Sequence, residues 1–205
     1  MAPRRPNRRE VAAADTRREI LRAARALFAE RGFANTSVHQ IAEEAGVAVQ
    51  TVYTSVGSKS ALVLALANLI ADEADVPALT RALLAESDPA RLIARGVHLT
   101  RQLNERSGDL IQILLSAEPA EPDAAEAVAE ARRGLEHGAG HTARRLSDLG
   151  ALPASTTSER TAAVLSAMTS PGTWRQLTRE AGWTFDETEE FLSEALTQLV
   201  LKPRD

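Results

Sequence analysis

Two short helices joined by a tight glycine turn, in the stretch Ser37 to Lys59 (SVHQIAEEAGVAVQTVYTSVGSK), constrain this chain more than anything else in it. Ser37 followed by Gln40 is a capping box, in which side chain and backbone satisfy one another at a helix start, so a helix begins at Val38. Ile41, Ala42 and Ala45 give it a small apolar face, and Gly46 is the residue able to take the left-handed conformation that ends it. Val47, Val52 and Val56 then restart an apolar face on a second helix. Two helices crossing steeply through such a turn form a helix-turn-helix, whose second helix can lie in the DNA major groove. Ala42 is small enough to let the pair approach closely.

A hairpin of this kind also occurs inside ordinary bundles, so its flanks matter. Upstream, Arg17 to Arg31 reads as an amphipathic helix with Ile20, Ala24, Leu27 and Phe28 on one face, closed by Gly32. Downstream, Ser58 caps an apolar helix carrying Leu62, Leu66, Leu69 and Ile70. The first supplies a surface for the pair to pack on; the second leads into the rest of the chain.

Charge is distributed to match. Residues 1–60 hold ten Lys+Arg against six Asp+Glu, a balance of +4, whereas the remainder holds fourteen against twenty-two, a balance of −8. The total of −4 and the pI of about 5.7 conceal a positive field confined to the end that carries the motif, which is what DNA docking needs. Arg4, Arg5, Arg8 and Arg9 lie among prolines and polar residues, so residues 1–14 are expected to form a basic disordered arm. Arms of this type can reach phosphates or the minor groove.

Other features narrow the class. The absence of cysteine removes disulfides, thiol catalysis and cysteine-held metals. The longest apolar run, Ala61 to Ala71, is interrupted by Asn68 and is too short to span a bilayer, and no secretion signal is visible. The expectation is a soluble, cytoplasmic protein with no membrane association.

Beyond Ala71 the pattern remains helical, with no convincing strand. Asp88-Pro89 opens a helix through Leu92, Leu99 and Leu103, and Gly108 to Ala117 carries Leu110, Ile111, Leu114 and Leu115. After the linker Glu118 to Pro122 a longer helix runs to about Leu149. Thr156 with Glu159 reads as a capping box for a helix holding Val164, Leu165 and Met168, which ends at Ser170-Pro171-Gly172. Trp174 and Leu177 sit on a short piece. Thr184 with Glu187 caps a last helix bearing Phe191, Leu192, Ala195, Leu196, Leu199 and Val200, a stripe wide enough to face more than one neighbour.

An enzymatic reading rests on His137 and His141, whose i, i+4 spacing puts two imidazoles on one helical face for a metal. Gly138 and Gly140 weaken that helix, and no third ligand presents itself. No nucleophile elbow, nucleotide-binding glycine loop or spaced carboxylate pair appears, so no catalytic or metal site is expected.

The run Ile20 to Leu62 resembles the DNA-binding domain of the TetR/AcrR family of bacterial transcriptional regulators. The matching residues are Ile20-Leu21, Ala23-Ala24, Leu27-Phe28, Gly32-Phe33, Thr36-Ser37-Val38, Ile41-Ala42, Ala45-Gly46-Val47, Thr51-Val52-Tyr53, Lys59 and Ala61-Leu62. Ser55 and Val56 depart from the His or Tyr followed by Phe that is usual in the family. The resemblance implies an all-α protein with no cofactor: a helix-turn-helix domain over residues 15–60, and a helical ligand-binding and dimerisation domain over residues 61–205. The implied function is repression, released when a small molecule shifts the spacing of two reading heads.

Position on the second helix, Val49 to Ser55, singles out contacts with double-stranded DNA. Gln50 can bond an adenine edge twice, Thr51 and Thr54 offer hydroxyls, and Val49 can meet a thymine methyl. Thr36 and Ser37 can bond phosphate at the preceding helix start, and His39 can reach a base or phosphate. Tyr53 and Lys59 match positions that commonly reach phosphate in the family. The resemblance also implies a homodimer made through the last two long helices, with Val164, Leu165, Met168, Phe191, Leu192, Ala195, Leu196 and Leu199 at the interface. Leu66, Ile70, Leu99, Leu103, Leu110, Ile111, Leu114, Met168 and Trp174 are candidates to line an effector pocket, and their apolar character suggests a hydrophobic effector.

Overall fold

Apolar residues at helical spacing build every regular element among the described residues. The computed structural model describes residues 7–202, apart from the side chains of residues 71 and 72. The helices are α1 (Arg8–Arg31), α2 (Val38–Glu44), α3 (Val49–Ser55), α4 (Lys59–Ala67), α5 (Leu69–Glu73) and α6 (Val76–Leu84). They continue as α7 (Pro89–Ala117), α8 (Pro122–Asp148), α9 (Ser158–Met168), α10 (Pro171–Arg175) with a π-helical turn (Gln176–Glu180), and α11 (Phe185–Val200). The protein is all-α, a helix-turn-helix domain followed by a helical domain, and no described helix is long and apolar enough to cross a membrane.

The chain divides into two compact units. Unit 1 comprises Met1–Leu69 with Asp109–Val128, and unit 2 comprises Ile70–Gly108 with Ala129–Asp205. The second half of α7 and the start of α8 thus belong to unit 1 with the N-terminal helices. Ser107 leaves helical geometry inside α7 (φ −126°, ψ 19°), beside that division.

In unit 1, α1 packs against α2, α3 and α4, and α2 packs against α3. Ile20, Ala24, Phe28, Ile41, Val52 and Leu62 are fully enclosed. Unit 2 closes around Leu92, Ile93, Val97, Leu146, Trp174, Leu192 and Leu196. Trp174 stacks on Phe185 at 5.8 Å and donates its indole N–H to the Thr100 hydroxyl at 3.1 Å.

Several boundaries differ from those read in the sequence. Helix α1 starts nine residues before Arg17, because Asn7 and Glu10 form a capping box that polar surroundings disguise. Residues 8–14 of the expected disordered arm, with Arg8 and Arg9, are thus helical, whereas Arg4 and Arg5 lie outside the described residues. The helix after Ser58 pauses at the exposed Asn68 before α5. The cap of α9 is Thr157, which accepts the Arg160 N–H, rather than Thr156. Helix α6 was not anticipated: its proline in the first turn reads as a loop signal, although Leu79 and Leu83 follow at helical spacing.

Candidate nucleic-acid interface

The turn between α2 and α3 is built as its residues dictate. Ser37 and Gln40 exchange hydrogen bonds as a capping box, and Gly46 adopts φ 66°, the left-handed region that a side chain disfavours. The Val47 N–H donates to the Ala42 carbonyl and the Gly46 N–H to the Glu43 carbonyl, closing the end of α2. Ala42 is buried at 1% exposure on α2, which packs against α3.

That turn fixes which face of α3 looks out. Val52 is completely buried, so Gln50, Tyr53 and Thr54 are exposed, and Val49 and Thr51 are partly exposed. The Thr54 hydroxyl donates back to the Gln50 and Thr51 carbonyls at 3.0 and 3.2 Å. His39 is exposed on α2. Ser37 is exposed too, but its hydroxyl accepts the Gln40 N–H.

Thr36 differs from expectation. It is buried, and its hydroxyl donates to the carbonyls of Leu27 and Gly32, so its side chain closes the end of α1 and is not offered to phosphate. A threonine directly before a helix cap reads as surface in the sequence; here the Leu27 and Gly32 carbonyls near the end of α1 draw it inward.

Lys59 opens α4 with its ammonium 3.9 Å above the Phe33 ring, which in turn packs against Phe28 at 5.5 Å. Partial burial lowers the pKa of Lys59, and the nearby Glu121 charge works the other way. The lysine is thus held at a defined point on the same unit as α3.

Residues 20–66, which hold this turn and both of its helices, match the family model for bacterial regulatory proteins of the tetR family. This chain carries a tetR-family DNA-binding domain. No curated protein sequence matches at a significant level. Among solved structures, NalD, the secondary repressor of the MexAB-OprM multidrug efflux pump in Pseudomonas aeruginosa, has 23% identity and a TM-score of 0.73, covering 94% of this chain and 99% of that one. SmeT in its triclosan complex has 22% identity and a TM-score of 0.71, covering 92% of each chain. PfmR, a TetR-family transcriptional regulator from Thermus thermophilus, has 19% identity and a TM-score of 0.68, covering 98% and 99%. The fold of tetR-family regulators therefore extends over almost the whole chain.

Two arginines of unit 1 escaped the sequence reading. Arg17 on α1 donates from Nη1 to the Ser55 carbonyl at 2.8 Å, capping the C-terminal end of α3 and setting a positive charge against its dipole. Its proximity to residue 55, 38 positions away, leaves no local signal. Arg25 makes a two-pronged pair with Asp109, at 2.5 and 2.8 Å. Burial raises the pKa of Asp109, but the bonds and charge from Arg25 outweigh it and hold the carboxyl below its ordinary value.

In unit 2 the expected interface residues separate. Val164, Phe191 and Leu199 are exposed, the last at 64%, and Met168 and Ala195 are partly exposed. Leu165, Leu192 and Leu196 are instead buried in the unit's own core. The paired apolar positions of α11 present two faces, and one of them turns inward. Trp183, which the sequence reading passed over, is exposed and meets the Phe191 ring edge-on at 5.2 Å.

The expected pocket residues are divided between the two units. Leu66, Leu110, Ile111 and Leu114 belong to unit 1, and Ile70, Leu99, Leu103, Met168 and Trp174 to unit 2. Leu66, Leu110, Leu114 and Trp174 are buried and the others partly buried. None of them lines the cleft of about 460 Å³ bordered by Arg160, Val164 and Leu199, nor that of about 250 Å³ bordered by Leu79, Arg91 and His98. His137 and His141 are exposed on α8, and among the described residues no group of three or more His, Asp or Glu is placed to hold a metal.

Proposed function

We propose that this protein is a ligand-responsive transcriptional regulator that binds a palindromic DNA operator as a homodimer, and a repressor released by a small hydrophobic effector. The single observation that carries the reading is the outward face of α3: a fully buried Val52 turns Gln50, Tyr53 and Thr54 to solvent on a domain matched to DNA-binding regulators. Gln50 with Thr51, Thr54 and Val49 reads base edges, while Tyr53, Lys59, Ser37 and His39 reach backbone or nearby base atoms.

Dimerisation is supported by Val164, Phe191, Leu199 and Trp183, large apolar side chains left in water on α9, α11 and the segment before it. One helix-turn-helix makes few base contacts, and a two-fold pair reads a pseudo-palindrome with its recognition helices about 34–36 Å apart or somewhat further. Effector control is supported by likeness in fold to SmeT, solved with triclosan, and to NalD, named a repressor. A ligand releases DNA only by binding the released arrangement more tightly than the bound one. Such a protein works in the cytoplasm, where its DNA is.

The assignment of roles is tested by fluorescence anisotropy on duplex DNA from upstream of the protein's own gene. Lys59→Ala weakens binding to every sequence alike and lowers the salt slope by about 0.9, as loss of one phosphate contact requires. Gln50→Ala instead narrows the gap between the preferred site and a single-base variant, by about 1–3 kcal/mol at one position. Equal effects of the two substitutions on sequence preference would refute the roles.

A further inference from the structure

The turn between α7 and α8 brings a carboxylate to the start of α4. The Glu121 carbonyl accepts the Ala125 N–H at the first turn of α8, and its side chain accepts a hydrogen bond from the Ser60 hydroxyl at 2.6 Å. Ser60 is the second residue of α4, directly after Lys59. The Arg25–Asp109 pair ties the same segment, Asp109–Val128, to α1 within unit 1. Glu121 is therefore part of the body that carries α3 and Lys59. Its position sets two demands against each other. A negative charge at the first turn of α4 suits the dipole of that helix. An anion drawn towards Lys59 meets the same negative charge and is repelled.

We propose that Glu121 is a built-in counter-charge that restrains the affinity of Lys59 for the DNA backbone. It is a positioning residue, acting through Ser60 and Lys59 without touching DNA, and the inference rests on the reading of Lys59 as a phosphate contact. The effect of Glu121 on the Lys59 ammonium agrees with this geometry.

The test uses the full chain and a fluorescein-labelled duplex of random sequence, since a backbone contact is independent of sequence. Glu121→Gln removes the charge while its amide oxygen still accepts the Ser60 hydroxyl. At low salt it tightens binding by about 3- to 10-fold, a gain that shrinks as added salt screens the charge. The gain vanishes when Lys59→Ala is already present. Glu126→Gln, an exposed position on α8 with the same change in net charge, shifts affinity by less than about twofold. Ser60→Ala, which frees the carboxylate without removing it, is the second arm should Glu121→Gln fold poorly, with a gain of about twofold. Unchanged or weakened binding in Glu121→Gln, the same gain without Lys59, or an equal gain in Glu126→Gln overturns the proposal, as does the absence of any gain in Ser60→Ala. Lys59→Ala that leaves both binding and slope untouched overturns the underlying reading of Lys59 as well.

Discussion

Trp174→Ala destabilises the protein by about 3–5 kcal/mol, the range for emptying a large aromatic site in a packed core. The indole has no exposure, stacks on Phe185, and bonds the Thr100 hydroxyl, which itself donates to the Val97 carbonyl at 2.8 Å. Truncation leaves a cavity among Leu92, Leu146, Leu192 and Leu196 and an orphaned hydroxyl oxygen in unit 2. Trp174→Phe separates the two causes. It keeps most of the ring volume but loses the N–H, and costs about 1–3 kcal/mol. Urea unfolding followed by far-UV circular dichroism measures both. A loss below about 1 kcal/mol for Trp174→Ala would mean that the site collapses freely and that Trp174 is not the centre of the unit.

Replacing both Phe191 and Leu199 by Asp is expected to yield a folded monomer that binds operator DNA at least about 100-fold more weakly, because half of the base contacts are lost. Both side chains are exposed on α11, at 45% and 64%, so neither change invades the core. In a two-fold interface each substitution is present twice, and an unpaired charge buried there costs about 3–5 kcal/mol. Leu196→Asp, one turn from the pair and fully buried, unfolds unit 2 instead and serves as the contrast. Light scattering after size-exclusion chromatography gives the oligomeric state, and anisotropy gives the affinity. A double variant that remains dimeric would show that the partner sits elsewhere.

The helix-turn-helix was legible because its signals are local. Ser37 with Gln40, the glycine at 46 and the valine at 52 each act within one turn of chain, and each does in the structure what its chemistry requires. The caps at Ser58 and Thr184 were readable for the same reason. What escaped depends on distant partners. Thr36 looks like a surface hydroxyl until the end of α1 supplies two carbonyls. Arg17, Arg25 and Ser60 look like solvated helix positions until Ser55, Asp109 and Glu121 arrive from far along the chain. The stripe on α11 shows at once that the helix has two apolar sides, but periodicity does not say which of them the chain itself covers. A pocket is less legible still, since Leu and Ile look alike in a core and on a cavity wall.

Selection of bound duplexes from a randomised pool, using the full chain, tests the central claim most directly, because it asks whether α3 reads DNA twice in one assembly. The account predicts an enriched pseudo-palindrome whose half-sites are centred about one helical turn apart or somewhat further, with Gln50→Ala relaxing the same position in each half. A pool that enriches no motif, or one without dyad symmetry and indifferent to Gln50, would contradict it.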